Sequence, residues 1–185
     1  ALAAQMANEG VEVETLWACD TQERFLSRLS KRTARAGVEG IHQHVLAARD
    51  DAWIAENEGF ADVVLIDAPC SGMGTWRRNP GAKWQMSAER LDESVARQAE
   101  ILENAARLIK PRGRMVYATC SLLREENEDR VETFLAAHPE FVPVPVSDIW
   151  SETFDAPCPA SGPYLRLSPA TTDTDGFFCS ILARV

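Results

Sequence analysis

Two cysteines and one aspartate follow apolar segments, at positions where their side chains could carry out covalent chemistry. Asp67 and Cys70 come at the end of VVLIDAPCSG, and Cys120 follows the apolar part of YATCS. A thiolate is a strong nucleophile, and a carboxyl group can give or take a proton. A cysteine that only packs usually lies inside an element. The positions of Cys70 and Cys120 therefore favour a chemical role.

Two familiar classes of cysteine enzyme fit these residues poorly. A thiolate phosphatase needs an arginine at a fixed spacing after its cysteine, but Trp76 stands at that distance from Cys70, and Arg124 comes too early after Cys120. A cysteine–histidine hydrolase needs a histidine near the thiol. The three histidines lie in a predicted strand and after a predicted helix. The residues alone leave open which cysteine attacks.

The elements before these residues are predicted to be neighbouring strands. Residues 61–66 form the most apolar run in the chain, which is typical of a strand buried on both faces. Residues 114–119 have the composition of a further strand. Ligands of α/β proteins bind at the carboxyl ends of the strands, and neighbouring strands are about 4.8 Å apart. We therefore predict that Cys70 and Cys120 face one crevice, with Asp67 beside them.

Predicted strands and helices alternate along the chain, which indicates an α/β fold and a single domain over residues 1–185. A helix capped by Ser87 and stopped by Pro111 precedes the second of the two strands above. Long loops are predicted over residues 71–86 and 151–170. The other predicted strands are 13–20, 41–48, 141–146 and 176–184, and the other predicted helices are 1–8, 21–36, 52–58 and 125–137.

Composition limits the classes of function. The net charge of −9 argues against nucleic-acid binding over the whole surface, although it permits a local basic face. The five cysteines include no CxxC pair, which argues against a zinc site and fits a reducing, cytoplasmic compartment. No apolar run approaches the roughly 20 residues of a membrane helix. The predicted helix 21–36 has one such basic face, which could instead be an ordinary solvated surface. Its basic residues are Arg24, Arg28, Lys31, Arg32 and Arg35.

Four motifs occur in the order found in a known family. They are DAPCSG at 67–72, RRNPGAKW at 77–84, YATCSLLREEN at 117–127 and DGFF at 175–178. In these motifs the chain resembles the RNA cytosine-5 methyltransferases of the RsmB/Nop/Sun family. The resemblance implies a Rossmann-like fold with a mostly parallel sheet and helices on both faces. It also implies S-adenosylmethionine as cofactor and structured RNA as substrate, with ribosomal RNA favoured over transfer RNA and no metal or membrane involved.

The resemblance also implies roles for individual residues. Cys120 would add to carbon 6 of cytosine, Cys70 would assist release of the product, and Asp67 would contact the base. Asp20 would hold the ribose hydroxyls of the cofactor, because a carboxylate accepts two hydrogen bonds from a diol. Asp50 or Asp51 would be the acid near the adenine. Asp20, Asp50 and Asp67 are the predicted cofactor-binding residues.

The sequence departs from the family at its start. The glycine-rich cofactor loop and the strand before it, which the family places ahead of residues 1–8, are absent. We therefore expect an incomplete domain, with no strand between those ending at Asp20 and Ile66, and no activity from this stretch alone. The alternative is a non-catalytic RNA-binding or assembly module that keeps the fold. In a third interpretation, a small-molecule methyltransferase, the paired cysteines would have no purpose.

Overall fold

The computed structural model describes residues 6, 13–47, 51–160 and 162–185. The chain divides into two compact units, residues 1–55 and residues 56–185, and the single domain over residues 1–185 stays a prediction. The predicted helix over residues 1–8, apart from Met6, and the predicted site residue Asp50 lie outside the described residues. None of the helices in the described ranges has the length and apolar character needed to cross a membrane.

The first unit contains a parallel two-stranded sheet and a basic helix. Strand β1 is Leu16–Asp20, helix α1 is Glu23–Arg35, and strand β2 is Ile41–Val45. Helix α2, Ala52–Glu56, follows β2. Phe25 of α1 is 40% exposed, and its ring lies 4.9 Å from the guanidinium carbon of Arg24.

The second unit is built on a five-stranded sheet. Its strands lie in the order β3-β4-β7-β5, and β6 pairs with β7 next to β5. β3 is parallel to β4, whereas β7 is antiparallel to β4, β5 and β6, so every strand except β7 points the same way. The predicted mostly parallel α/β fold is confirmed. The elements are β3 (Ala61–Asp67), α3 (Ala88–Leu108), β4 (Ile109–Thr119), α4 (Glu128–Ala137), β5 (Phe141–Val144), α5 (Val146–Thr153), β6 (Leu165–Leu167) and β7 (Phe177–Arg184).

Strand β3 differs from its prediction in one respect. Ile66 is buried, but Val63 is 60% exposed and Leu65 is 50% exposed. β3 lies at the edge of its sheet, and within its own unit the core covers only the face that carries Val64 and Ile66. β1 and β3 belong to different sheets, and no strand of the described residues pairs between them.

The core of the second unit lies between α3, α4 and the sheet. Ser87 caps α3 as predicted, because its hydroxyl accepts a hydrogen bond from the amide of Arg90 at 3.3 Å. The helix ends at Leu108, and Pro111 lies inside β4, where the pairing with β3 shifts register. Pro111 has no amide hydrogen to contribute to the ladder, which suits it to such an irregularity. Side chains with almost no exposed surface are Leu102, Ile109, Met115, Tyr117, Val131, Phe178 and Leu182.

The segments predicted as loops contain short elements that local patterns do not reveal. Two 3-10 turns, Met73–Thr75 and Pro80–Gln85, lie in the loop after β3. The end of helix α5 and strand β6 lie within the second predicted loop, and a 3-10 turn, Arg124–Glu126, replaces the predicted start of α4. These elements are too short to show a hydrophobic period, so their contacts with the rest of the fold determine where they form.

Candidate active site

The two strand-end cysteines meet as the sequence predicts. Parallel pairing sets Asp67 of β3 opposite Ala118 of β4, and the amide of Ala68 donates to the carbonyl of Ala118 at 2.9 Å. Both chains then turn away from the sheet. Their turns bring the Sγ atoms of Cys70 and Cys120 to 3.4 Å, within hydrogen-bond distance for two sulfur atoms.

The hydrogen bond between the thiols gives them different acidities. The hydrogen bond with Cys70 lowers the pKa of Cys120 below its ordinary value of 9.0, although burial and the nearby charges of Asp67 and Glu126 oppose that shift. The same bond, together with burial, raises the pKa of Cys70. Cys120 is therefore the more acidic thiol of the pair. By contrast, burial raises the pKa of Cys179 to about 11, as expected of a cysteine that only packs.

The lowered pKa of Cys120 predicts how its alkylation depends on pH. Because only the thiolate reacts with iodoacetamide, Cys120 should be modified with a midpoint below 9.0. Cys70→Ala removes this hydrogen bond, so the pKa should rise and the midpoint should move to higher pH. Peptide mass spectrometry after timed labelling measures both midpoints, and Cys179→Ala is the control. Equal midpoints in the wild type and in Cys70→Ala would show that the two thiols do not interact.

A buried carboxylate fixes the loop that carries Cys70. Glu126 has no exposed surface, and it accepts hydrogen bonds from the amide of Ser71 at 2.7 Å and from the hydroxyl of Ser71 at 2.5 Å. Gln98 of α3 donates to Glu126 at 3.2 Å and to the carbonyl of Pro69 at 2.9 Å. The residues on both sides of Cys70 are therefore held by side chains from distant parts of the chain.

A second set of hydrogen bonds fixes the turn at Cys120. Asn127 accepts from the hydroxyl of Thr119 at 2.6 Å and donates to the carbonyl of Ser121 at 3.0 Å. The hydroxyl of Tyr117 donates to the carbonyl of Glu126 at 2.6 Å. The sequence analysis missed Gln98, Glu126 and Asn127 as residues that position the site. The available signal was Gln98, a polar residue in the apolar stripe of α3.

We expect Glu126→Ala to destabilise the protein strongly. The change removes this acceptor from the amide and hydroxyl of half-buried Ser71 and from the side-chain amide of buried Gln98. Each such donor costs about 1–3 kcal/mol, so the free energy of unfolding should fall by on the order of 3 kcal/mol or more. Urea titration measures the change. Glu132→Ala, at an exposed position on α4, should stay within about 0.5 kcal/mol of the wild type, and a similarly small effect of Glu126→Ala would contradict the assignment.

Two glycines join the loop after Cys70 to the segment before β7. The amide of Gly74 donates to the carbonyl of Cys120, and the amide of Gly176 donates to the carbonyl of Gly74, both at 2.9 Å. A Cβ on Gly74 would lie 2.4 Å from the carbonyl oxygen of Gly176, so the two backbones approach this closely only without side chains. Asp175 next to Gly176 forms ion pairs with Arg78 and, at 3.6 Å, with Arg77. The motifs RRNPGAKW and DGFF therefore contact each other.

The carboxylate of Asp67 is available to a ligand. Asp67 is exposed, and none of the described residues donates a hydrogen bond to it. Its charge raises the pKa of Cys120, which places the carboxylate near the thiol pair. Asp67 therefore lies beside the thiols with free acceptor oxygens, as the proposed contact with a base requires.

The acidic residues Asp20 and Asp51 of the first unit differ in whether they have a carboxylate oxygen free for a cofactor. Asp20 ends β1, and its Oδ1 accepts from the amide of Gln22 at 2.8 Å, while no described residue donates to its Oδ2. A free carboxylate oxygen at a strand end fits the ribose diol of S-adenosylmethionine. Asp51 beside Asp50 is buried, and its oxygens accept from the amides of Ala47 and Trp53. Asp51 therefore serves its own loop and does not fit the adenine-contacting role.

A family profile and a curated relative match most of this chain. The profile of the family described as 16S rRNA methyltransferase RsmB/F matches residues 2–183. Ribosomal RNA small subunit methyltransferase B of Klebsiella pneumoniae is 35% identical over 167 residues, which are 90% of this chain and 36% of that protein. The chain thus spans about a third of this curated relative.

Two solved structures share the fold. A crystal structure of the protein PH0851 is 36% identical with a TM-score of 0.79, over 91% of this chain and 36% of that one. A methyltransferase homolog protein from Pyrococcus horikoshii is 26% identical with a TM-score of 0.70, over 92% and 53%. The family profile covers nearly the whole sequence, and the relative is more than 30% identical over most of it. The chain belongs to the 16S rRNA methyltransferase RsmB/F family.

Proposed function

We propose that the complete protein transfers a methyl group from S-adenosylmethionine to carbon 5 of a cytosine in ribosomal RNA, through a covalent adduct with Cys120. The observation that carries this proposal is the pair of thiols 3.4 Å apart, in which Cys120 has a lowered pKa and Cys70 has a raised one. Family membership supports an RNA substrate and a methyl donor of this kind.

The paired thiols suit the two halves of the reaction. The Cys120 thiolate adds to carbon 6, and the electron pair displaced from the ring double bond makes carbon 5 nucleophilic. S-adenosylmethionine, when bound, supplies the methyl group that carbon 5 takes up. The proton on carbon 5 must then leave, and the bond between carbon 6 and Cys120 must break. The electrons of the carbon–hydrogen bond re-form the ring double bond, and Cys120 departs as a thiolate.

Cys70 is the residue that we propose removes the carbon 5 proton. Its pKa is raised mainly by its hydrogen bond with Cys120. Once the sulfur of Cys120 is bonded to carbon 6, that cause disappears, and Cys70 releases its proton to solvent more easily. The resulting thiolate can accept the carbon 5 proton as a general base. One residue thus first supports attack and then assists release.

Asp67 and Trp84 complete the proposed handling of the base. A proton shared between Asp67 and ring nitrogen 3 offsets the negative charge that thiolate addition delivers to the ring. The base must leave its stack to reach the site. Trp84 of the RRNPGAKW motif is 85% exposed, which makes it the better stacking surface, since the indole nitrogen of Trp76 is buried.

Methylation of ribosomal RNA by the product of the complete gene tests the proposal. Small-subunit RNA is incubated with the protein and with S-adenosylmethionine labelled in its methyl group, then digested to nucleosides for mass spectrometry. We expect labelled 5-methylcytidine. Binding of the RNA without any methylated nucleoside would favour the non-catalytic RNA-binding module instead, and methylation at another atom would refute the cytosine-5 assignment.

A further inference from the structure

A cavity of about 270 Å³ opens beside Cys70, on the side formed by α3 and the 3-10 turn Pro80–Gln85. Its lining combines hydroxyl groups, a flexible apolar side chain and two guanidinium groups. These lining residues are Ser71, Met86, Arg90, Ser94 and Arg97. The cavity adjoins the thiol that is proposed to act on the target base, so whatever occupies it lies next to that base.

The arginines of this cavity are available to bind an anion. Arg90 and Arg97 form no ion pair with any described residue. Arg90 donates to the carbonyl of Gln85 at 2.7 Å, which directs its guanidinium along the wall of the cavity. The two positions are seven residues apart on α3, so they share one face of the helix. Glu93 also lines the cavity, and the two arginines outnumber it.

The arginines in the loop after Cys70 are less available to bind an anion. The sequence favours Arg77, Arg78 and Lys83 of this loop as phosphate contacts, but the structure pairs Arg77 and Arg78 with Asp175. Their charges are therefore partly neutralised within the protein. The chain as a whole has a net charge of −9. Two arginines beside the reactive thiols that form no ion pair with the described residues are therefore a distinct local feature.

We propose that this cavity binds the nucleotide that flanks the target cytosine, with its phosphate against Arg90 and Arg97. This inference rests on the proposed function for the identity of the substrate. A guanidinium group forms two parallel hydrogen bonds with phosphate oxygens. Ser71 and Ser94 are suited to the sugar hydroxyls, and Met86 supplies an apolar surface for the sugar or base. Arg90 and Arg97 thus position the strand, so that the target base is presented to Cys120.

Salt-dependent RNA binding by the product of the complete gene tests the assignment of Arg97. Filter binding with small-subunit RNA is measured between 50 and about 250 mM KCl. We expect Arg97→Gln to weaken binding about tenfold at low salt and to reduce the slope of log K against log[KCl] by about 0.7, the value for one lost contact to single-stranded phosphate. Arg97→Lys keeps the charge, so it should keep the slope.

Arg114→Gln is the matched control. Arg114 is exposed in the middle of β4, does not line the cavity and forms no ion pair with the described residues, so its replacement makes the same charge change away from the cavity. Wild-type slope and affinity in Arg97→Gln, or an equal loss in Arg114→Gln, would overturn the proposed subsite. Because binding is measured without turnover, a loss confined to Arg97→Gln supports the subsite even if no methylation is detected, an outcome that would refute the proposed function alone.

Discussion

Replacement of Cys120 by alanine should abolish methyl transfer by the product of the complete gene. Without the thiolate, carbon 5 of cytosine is too weak a nucleophile to take the methyl group. Loss of an essential nucleophile costs about 10⁴-fold or more in turnover. RNA that contains a cytosine analogue blocked at carbon 5 should trap a covalent complex with the wild type, because the reaction cannot proceed to release. Cys120→Ala should form no such complex in a denaturing gel.

Two comparisons make the Cys120 experiment decisive. Cys179→Ala removes a thiol from β7 whose pKa is raised by burial alone, and this variant should retain the adduct. RNA binding by Cys120→Ala should match that of the wild type, which separates loss of chemistry from loss of folding. A covalent complex that persists in Cys120→Ala would transfer the role of nucleophile to another residue.

Cys70→Ala should have the second largest effect, of a different kind. Attack by Cys120 remains possible, but the group proposed to remove the carbon 5 proton is gone. The variant should therefore accumulate a covalent complex with RNA that contains ordinary cytosine, whereas the wild type releases its product. Because the same change is expected to raise the pKa of Cys120, more complex should form at pH 9 than at pH 7.

The chemical form of the trapped RNA distinguishes the explanations for Cys70. Digestion of the complex from Cys70→Ala should yield a peptide in which Cys120 carries a methylated pyrimidine, which shows that methyl transfer preceded the block. Normal turnover without accumulated complex would show that Cys70 only packs beside Cys120. A complex that carries no added methyl group would place the role of Cys70 before methyl transfer instead of after it.

The sequence predicted the parts of this molecule that depend on local patterns. The strands before Cys70 and Cys120 were recognisable from apolar runs, and the rule that ligands bind at strand ends correctly predicted that the two thiols meet. Burial of β3 on both faces was wrong, because the apolar run does not show which faces the rest of the unit covers. Val63 and Leu65 are apolar yet exposed.

Such local patterns could not identify the residues that hold the site in place. Glu126 contacts Ser71 across 55 positions of sequence, and a glutamate in a charged stretch is more often solvated than buried. Gly74 and Gly176 meet for the same long-range reason, and neither has the positive φ that commonly marks a required glycine. Only the assembled fold shows that these residues have specific partners.

The position of β7 has a consequence for the order in which the protein is made. β7 has β4 on one side and both β5 and β6 on the other. It nevertheless follows all three in the chain. During synthesis, the edge of β4 therefore stays open until β7 leaves the ribosome, and such distant pairings form slowly. Gly176, which anchors the loop after Cys70, emerges with the same segment. A nascent chain thus carries its two reactive cysteines before the contact between Gly74 and Gly176 can form.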